Sequence, residues 1–244
     1  MRLSTQTAWG ENPALSYRNM RAIIGYVGLT LPATLLLAGA VDGHIESSLS
    51  AYYYTKVGNV FTGALCVIGI FLLAYRLTAW AIDNLATTLA GIAALGVAFF
   101  HAAPNHATLS QLRLADVHLA CAATLFILLG AISLFIFPRD ILPGQRWRAN
   151  CYMALGALIW LSIILMPLLN WLAGSFYDRH HVFFFLETVC VMAFAASFIL
   201  KGHGQPSDPG LDKTAGQAPS AAIRPPVGGD TAQTRTPLQP ASQS

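Results

Sequence analysis

Charged side chains are scarce in this sequence. Only 10% of the 244 residues are Asp, Glu, Lys or Arg, whereas 55% are apolar. A water-soluble domain carries about 25% charged residues, so this chain has too few of them to cover a surface that faces water. The net charge of +3 is also too small to indicate nucleic-acid binding. The composition predicts a membrane protein with lipids as partners and no nucleic-acid partner.

Paired cysteine motifs and internal repeats are also absent from the sequence. No C-x-x-C is present, so neither a zinc knuckle nor a thioredoxin-like site is indicated. The four cysteines lie in or beside apolar runs, and they are Cys66, Cys121, Cys151 and Cys190. Secondary transporters often show repeats or broken helices at corresponding positions, so their absence here argues against a transporter.

What the sequence does contain is six long apolar runs. They cover residues 22–41, 57–75, 85–102, 117–137, 152–173 and 182–200. Each is close to the roughly 20 residues with which a helix crosses a bilayer. The run at 85–102 is rich in glycine and alanine, which is typical of a close helix–helix contact in lipid. The sequence therefore predicts an all-α fold, a six-transmembrane-helix bundle over residues 22–202.

The two ends of the chain differ from this central domain. Residues 1–21 are polar and are expected to form a cytoplasmic N-terminal segment. Ala-Gly-Ala at 38–40 fits a signal-peptidase site, but the long polar leader and the length of the first run favour an uncleaved span. Residues 203–244 contain seven prolines and no aromatic residue. Such a segment cannot bury enough apolar surface to offset its ordering entropy, which predicts a disordered cytoplasmic tail.

The distribution of Lys and Arg predicts the orientation of the spans. With the N-terminus in the cytoplasm, the outer segments carry only Lys56, Arg113 and Arg179, and the inner segments carry all the other Lys and Arg residues. Cytoplasmic loops of membrane proteins are enriched in these residues. The prediction is a multi-pass protein of the cytoplasmic (inner) membrane with both termini inside.

Glu187 is the one acidic residue inside the last apolar run. An ionisable side chain within a span is costly, and it marks either a functional site or a structural hydrogen bond. We predict that Glu187 faces the bundle, within reach of a polar group on the fourth span or in the 47–55 loop. His118 stands near the start of the fourth run, at a similar predicted depth. The candidate ligand-binding residues are Glu187, His118, His101, Tyr53 and Asn170.

Three functions are consistent with these residues. The first is an outward-facing polar pocket that binds a lipid headgroup or a small molecule. The second is a metal-dependent membrane hydrolase on His101, His118 and Glu187, which requires three ligands and an open position for water. The third is a structural or partner-binding subunit. The residues do not identify a catalytic group, a cofactor or a protein partner, and no residues are assigned to a metal site. Three adjacent tyrosines at 52–54 favour an interfacial position.

Three segments carry a resemblance to a known family. They read Ser-Leu-Ser-Ala-Tyr-Tyr-Tyr-Thr at 48–55, His-Leu-Ala-Cys-Ala-Ala-Thr-Leu-Phe at 118–126, and Phe-Leu-Glu-Thr at 185–188 through Phe-Ile-Leu-Lys-Gly at 198–202. Over residues 17–202 the chain resembles a family of bacterial polytopic proteins of unknown function, near the Frag/DRAM-like group. That resemblance implies six spans in a bacterial cytoplasmic membrane and no particular activity.

A weaker likeness is to the CREST membrane hydrolases. It implies a Ser, an Asp and three His around a zinc ion. The CREST pattern has seven spans and an H-x-x-x-H in the last helix, whereas this chain has His180-His181 followed by Glu187. This chain therefore differs from the CREST pattern at the residues that would bind the zinc ion.

Overall fold

The computed structural model describes residues 13–75, 81–104, 107–141, 144–179 and 181–203. Over these residues the chain is all-α and contains no strand, as the apolar runs predict. Residues 1–12 lie outside the described part, and so does the predicted disordered tail apart from His203.

Six α-helices account for most of the described chain. In order they are α1 Pro13–Asp42, α2 Gly58–Ala74, α3 Ala81–Phe99, α4 Leu109–Ala131, α5 Arg146–Arg179 and α6 Val182–Gly202. A short 3-10 helix, Ser50–Tyr54, lies between α1 and α2. After α4 the chain continues through a π-helical turn, Ile132–Ile136, and a 3-10 turn, Phe137–Asp140.

The helices form a closed ring. Each packs against its neighbours in the chain, and α1 packs against α6. Because successive helices run in opposite directions, the bundle has two ends. We call one the Glu187 end, where α1, α3 and α5 finish and α2, α4 and α6 begin. The other is the Lys201 end, where α6 finishes and α1 begins.

Five segments are long and apolar enough to cross a membrane. They are Asn19–Asp42, Ala81–Phe99, Leu109–Arg139, Arg146–Ala173 and Val182–Gly202. Their outward faces carry exposed aliphatic side chains, including Leu37, Ile92, Leu161 and Ile164. The helix α2 has only 17 residues, about 26 Å at 1.5 Å per residue, slightly less than a hydrocarbon core of about 30 Å. The chain is thus a helical bundle of the multi-pass membrane type.

The small residues of α3 lie where the sequence predicts a close helix–helix contact. A Cβ atom added to Gly91 would lie 2.8 Å from the carbonyl oxygen of Gly69 in α2. No side chain fits between the two backbones at this point. This contact confirms the packing role that was expected of the glycine- and alanine-rich run.

Two helix boundaries differ from the predicted spans in a way that moves candidate residues. The helix α4 begins at Leu109, because Thr108 and Gln111 form a reciprocal capping box before the apolar run starts. His118 therefore lies more than two turns inside α4 and not at its first residues. The helix α3 ends at Phe99, so His101 lies in the following connection and not at the end of the span.

Candidate ligand-binding cavity

A cavity of about 720 Å³ lies at the Glu187 end, among α4, α5, α6 and the 47–50 segment. Its volume is in the range of small-molecule and cofactor sites. Most of the wall is formed by alanine and larger apolar side chains such as Phe126 and Met166. The polar residues that line it include Ser48, Ser50, His118, Asn170, His181 and Glu187.

Glu187 is buried and is held by the backbone of the 47–55 loop. Its Oε2 atom accepts a hydrogen bond from the Leu49 N–H, with the two atoms 2.6 Å apart. Leu49 directly precedes the 3-10 helix, whose first N–H groups have no partner within the helix. The Ser48 Oγ atom accepts a hydrogen bond from another of these N–H groups, that of Ala51, at 3.0 Å. The predicted contact between Glu187 and the loop is confirmed.

His118 connects α4 to the end of α3. Its Nδ1 atom lies 2.7 Å from the carbonyl oxygen of Phe100. A carbonyl oxygen only accepts hydrogen bonds, so Nδ1 carries a proton, and when the ring is neutral its Nε2 atom is an acceptor. The side chain is buried, and this bond fixes the orientation of the ring at the cavity wall.

Glu187 and His118 also line a second, smaller cavity of about 50 Å³. Apart from Ser50, the other residues that line this space are apolar, and they include Leu65, Leu129 and Phe194. Within the described residues no hydrogen bond joins Glu187 to His118. The two side chains therefore contribute separate polar groups at the boundary between the large cavity and an apolar interior.

Tyr53 and His101 lie in a different cleft. Their ring centroids are 3.9 Å apart at an interplanar angle of 39°. They line a space of about 260 Å³ together with Lys56, Asn59 and Thr62. The structure thus places Glu187, His118 and Asn170 on one cavity and Tyr53 and His101 on another.

The three adjacent tyrosines have three different environments. Tyr52 is buried, and its hydroxyl lies against Gly39 of α1. Tyr53 stacks on His101, whereas the exposed Tyr54 donates a hydrogen bond to the Ala102 carbonyl at 2.8 Å. A 3-10 helix has three residues per turn, so consecutive side chains point in different directions. Burial raises the pKa of Tyr52.

The cavity does not bring together a set of metal ligands from the described residues. Within them no three His, Cys, Asp or Glu side chains are grouped closely enough to hold a metal ion. His101 lines the other cleft, whereas His118 and Glu187 line this one. His106 and His180 lie outside the described residues.

Cys121 and Cys190 face different helices. A Cβ atom at Gly96 of α3 would meet the Sγ atom of Cys121 at 2.5 Å, so this thiol packs on α3. The Cys190 thiol donates to the carbonyl oxygen of Ile159 in α5 at 3.7 Å. Both are free thiols.

Several residues of the cavity were not predicted from the sequence. The N–H of Leu49 is a backbone group, and a backbone donor has no sequence signature. Ser48 and Ser50 could have been recognised, because serine is favoured where an N–H group at the start of a helix needs an acceptor. His181 adopts a left-handed conformation (φ 51°) directly before α6, which apolar periodicity does not reveal.

Comparison with known proteins adds no family or relative to this picture. No family model matches the chain, and neither a curated protein nor a solved structure does. What the cavity binds is therefore inferred from its own geometry.

Proposed function

We propose that this chain is a six-span membrane protein whose cavity at the Glu187 end binds a lipid headgroup or a small amphiphilic molecule. One observation carries the proposal. A cavity of about 720 Å³ combines largely apolar walls with a few polar groups, among them Glu187 and His118. This combination is typical of sites that bury an apolar ligand and orient it through a small number of polar contacts.

The polar groups suit the headgroup of an amphiphile. Glu187 is an acceptor for hydroxyl or ammonium groups, and Asn170 offers both donor and acceptor atoms. Neutral His118 offers Nε2 as a further acceptor, because Nδ1 is engaged by Phe100. The walls formed by Phe126 and Met166 supply apolar surface for a chain or ring.

The charge distribution supports an outward-facing cavity. Among the residues whose side chains are described, the Lys201 end carries Arg21, Arg139, Arg146, Arg148 and Lys201. The Glu187 end carries Lys56 and Arg113. Under the positive-inside rule the Lys201 end is cytoplasmic, and the cavity then lies in the outer half of a bacterial inner membrane. In this arrangement the shorter helix α2 is the sixth span, in addition to the five long apolar segments.

A photo-crosslinking lipid tests the proposal. The protein is reconstituted in vesicles that contain phosphatidylethanolamine with a diazirine beside the headgroup, irradiated, and mapped by mass spectrometry. We expect labelling of residues around the cavity. Ala122→Phe fills space between the two cavities and should reduce this labelling severalfold. Ala120→Phe adds the same side chain at an exposed position of α4 and should not.

Two results would contradict the proposal. One is uniform labelling of all exposed apolar faces with no excess at the cavity. The other is equal labelling of the Ala122→Phe and Ala120→Phe proteins. Metal analysis of the purified protein addresses the hydrolase alternative separately, because stoichiometric zinc would require ligands beyond those that the described cavity brings together.

A further inference from the structure

Three basic side chains meet at the Lys201 end, far from the cavity. They are Arg21 of α1, Arg148 of α5 and Lys201 of α6, and we call them the basic cluster. Tyr152 of α5 is their common neighbour. The Nη2 atom of Arg148 lies 3.5 Å from the Tyr152 hydroxyl, and the Nζ atom of Lys201 lies 5.9 Å from its ring centroid. Arg21 is close enough to interact electrostatically with the same phenol.

The close approach of α1 and α6 brings the basic cluster together. A Cβ atom at Gly202 would lie 2.8 Å from the backbone nitrogen of Ala22. The two helices therefore touch through their backbones directly beside Arg21 and Lys201. Arg148 completes the arrangement, because its Nη2 atom donates to the carbonyl oxygen of Leu200 in the last turn of α6.

Two members of the basic cluster are buried more than nine-tenths. Arg148 is 8% exposed and Lys201 is 7% exposed. Lys201 donates to the Phe137 carbonyl at 3.3 Å, and its Nζ atom lies 5.4 Å from the Phe137 ring centroid. A buried cation is costly unless an opposite charge or several acceptors surround it. Around Arg148 the described residues offer a carbonyl oxygen, a hydroxyl and an aromatic face, which supply only partial negative charge, so its guanidinium group favours an anion.

Two donors of the basic cluster have no acceptor. The Nε atoms of Arg21 and Arg148 are both buried and make no hydrogen bond within the described residues. Buried donors without a partner are rare in proteins, and an ion that completes them is one explanation.

We propose that the basic cluster binds a phosphate group that enters from the Lys201 end. A guanidinium presents its N–H groups as a fork that matches two phosphate oxygens, and Arg148 has Nε–H available for this. Basic pockets between helices at the cytoplasmic side of membrane proteins bind the headgroups of anionic lipids. The phosphate belongs either to such a lipid or to a free ion. Along α6 the site is about 20 Å from Glu187, so it is independent of the cavity.

Thermal unfolding with inorganic phosphate is the first test. The full chain in an uncharged detergent is heated with increasing sodium phosphate, and sodium chloride keeps the ionic strength constant. A ligand that binds only the folded state raises the unfolding temperature as its concentration increases. In a second arm, nanodiscs of phosphatidylcholine are compared with nanodiscs that also contain phosphatidylglycerol. A response to free phosphate identifies an ion site, and a response only to phosphatidylglycerol identifies a lipid site.

Matched variants locate the response. Arg148→Gln should weaken the apparent affinity for the responding ligand at least about tenfold, because one charge-assisted interaction is lost. Arg146→Gln removes the same charge two residues earlier, from an exposed position of α5, and should leave the affinity unchanged. If Arg148→Gln does not fold, Arg148→Lys retains the charge without the fork. It should weaken binding relative to Arg146→Gln.

The proposal fails if neither phosphate nor phosphatidylglycerol stabilises the wild-type protein. It also fails if the Arg148 variant that folds responds as strongly as Arg146→Gln. An equal response of the two variants would show that the added salt screens charges generally and that the basic cluster is not the binding site.

Discussion

The Oε2 atom of Glu187 and the backbone nitrogen of Leu49 lie 2.6 Å apart, although 138 positions separate the two residues in the sequence. This bond joins the first turns of α6 to the loop between α1 and α2. It also brings the start of the 3-10 helix over the cavity, with Ser48 and Ser50 at the wall. A single buried acceptor thus positions a loop, a helix and a candidate binding site with respect to one another.

Substitution of Glu187 separates its structural role from its role in ligand binding. Glu187→Gln retains an oxygen acceptor for the Leu49 N–H and should keep the unfolding temperature close to wild type. Glu187→Leu leaves that N–H buried without an acceptor and should reduce the free energy of unfolding by about 1–3 kcal/mol. Thermal unfolding in detergent measures both variants.

The same two variants give a functional result. If the Glu187 carboxyl group contacts the ligand, Glu187→Gln should retain the fold and lose most of the headgroup crosslinking at the cavity. If Glu187 is only a structural acceptor, Glu187→Gln should match wild type in both measurements. Equal unfolding temperatures for Glu187→Gln and Glu187→Leu would show that the bond to Leu49 contributes little.

Gly39 is a position where a single methyl group should be destabilising. A Cβ atom there would overlap the hydroxyl of buried Tyr52 and lie 2.9 Å from the carbonyl oxygen of His44. Relief requires a shift of the 3-10 helix or of α1, so Gly39→Ala should cost about 1–3 kcal/mol of unfolding free energy. Thermal or denaturant unfolding measures the loss.

The matched control for this substitution is Gly63→Ala in α2. A Cβ atom at Gly63 meets no atom within 4 Å. Alanine is the better helix former by about 1 kcal/mol, so this variant should be neutral or slightly stabilising. If the two alanine substitutions reduced the free energy of unfolding equally, the close contact at Gly39 would not be the cause of the loss.

The orientation of the bundle is testable with reporter fusions. Alkaline phosphatase, which is active only in the periplasm, should be active when fused near Asp178 and inactive when fused after Lys201. The expectation follows from the excess of Lys and Arg at the Lys201 end. The reverse pattern would place the cavity on the cytoplasmic face and the basic cluster on the outer one.

Removal of residues 206–244 should leave the bundle intact. The segment has too little apolar surface to pack stably against the helices, so expression and unfolding temperature should match those of the full chain. Size-exclusion chromatography and thermal unfolding of the truncated protein test this. A drop in folded yield would indicate that the tail docks on the bundle.

The apolar runs predict the helices well because their cause is local. A run of about 20 apolar residues in a chain with few charges forms a helix that buries its own backbone polar groups. Their ends were predicted less well, since capping depends on single polar side chains such as Thr108 and Gln111. That difference moves His118 into the interior of α4.

The candidate site was predictable only in part. The cost of a carboxyl group within an apolar span indicates that Glu187 needs a polar partner, and the 47–55 loop was among the predicted partners. Tyr53 and His101 were grouped with Glu187 because all were expected near one end of the bundle. They lie in a neighbouring cleft, because the end of α3 and the 3-10 helix direct them there.

The sequence by itself determined the helical class, the approximate positions of the helices and the need of Glu187 for a partner. Composition and spacing are sufficient for these features, since each depends on how a short segment interacts with water or lipid. Only the tertiary structure decided that the partner is the Leu49 N–H, that Asn170 shares a cavity with Glu187, and that Arg21, Arg148 and Lys201 meet around Tyr152. These relationships join residues from different helices, and helix packing alone sets the distances between them.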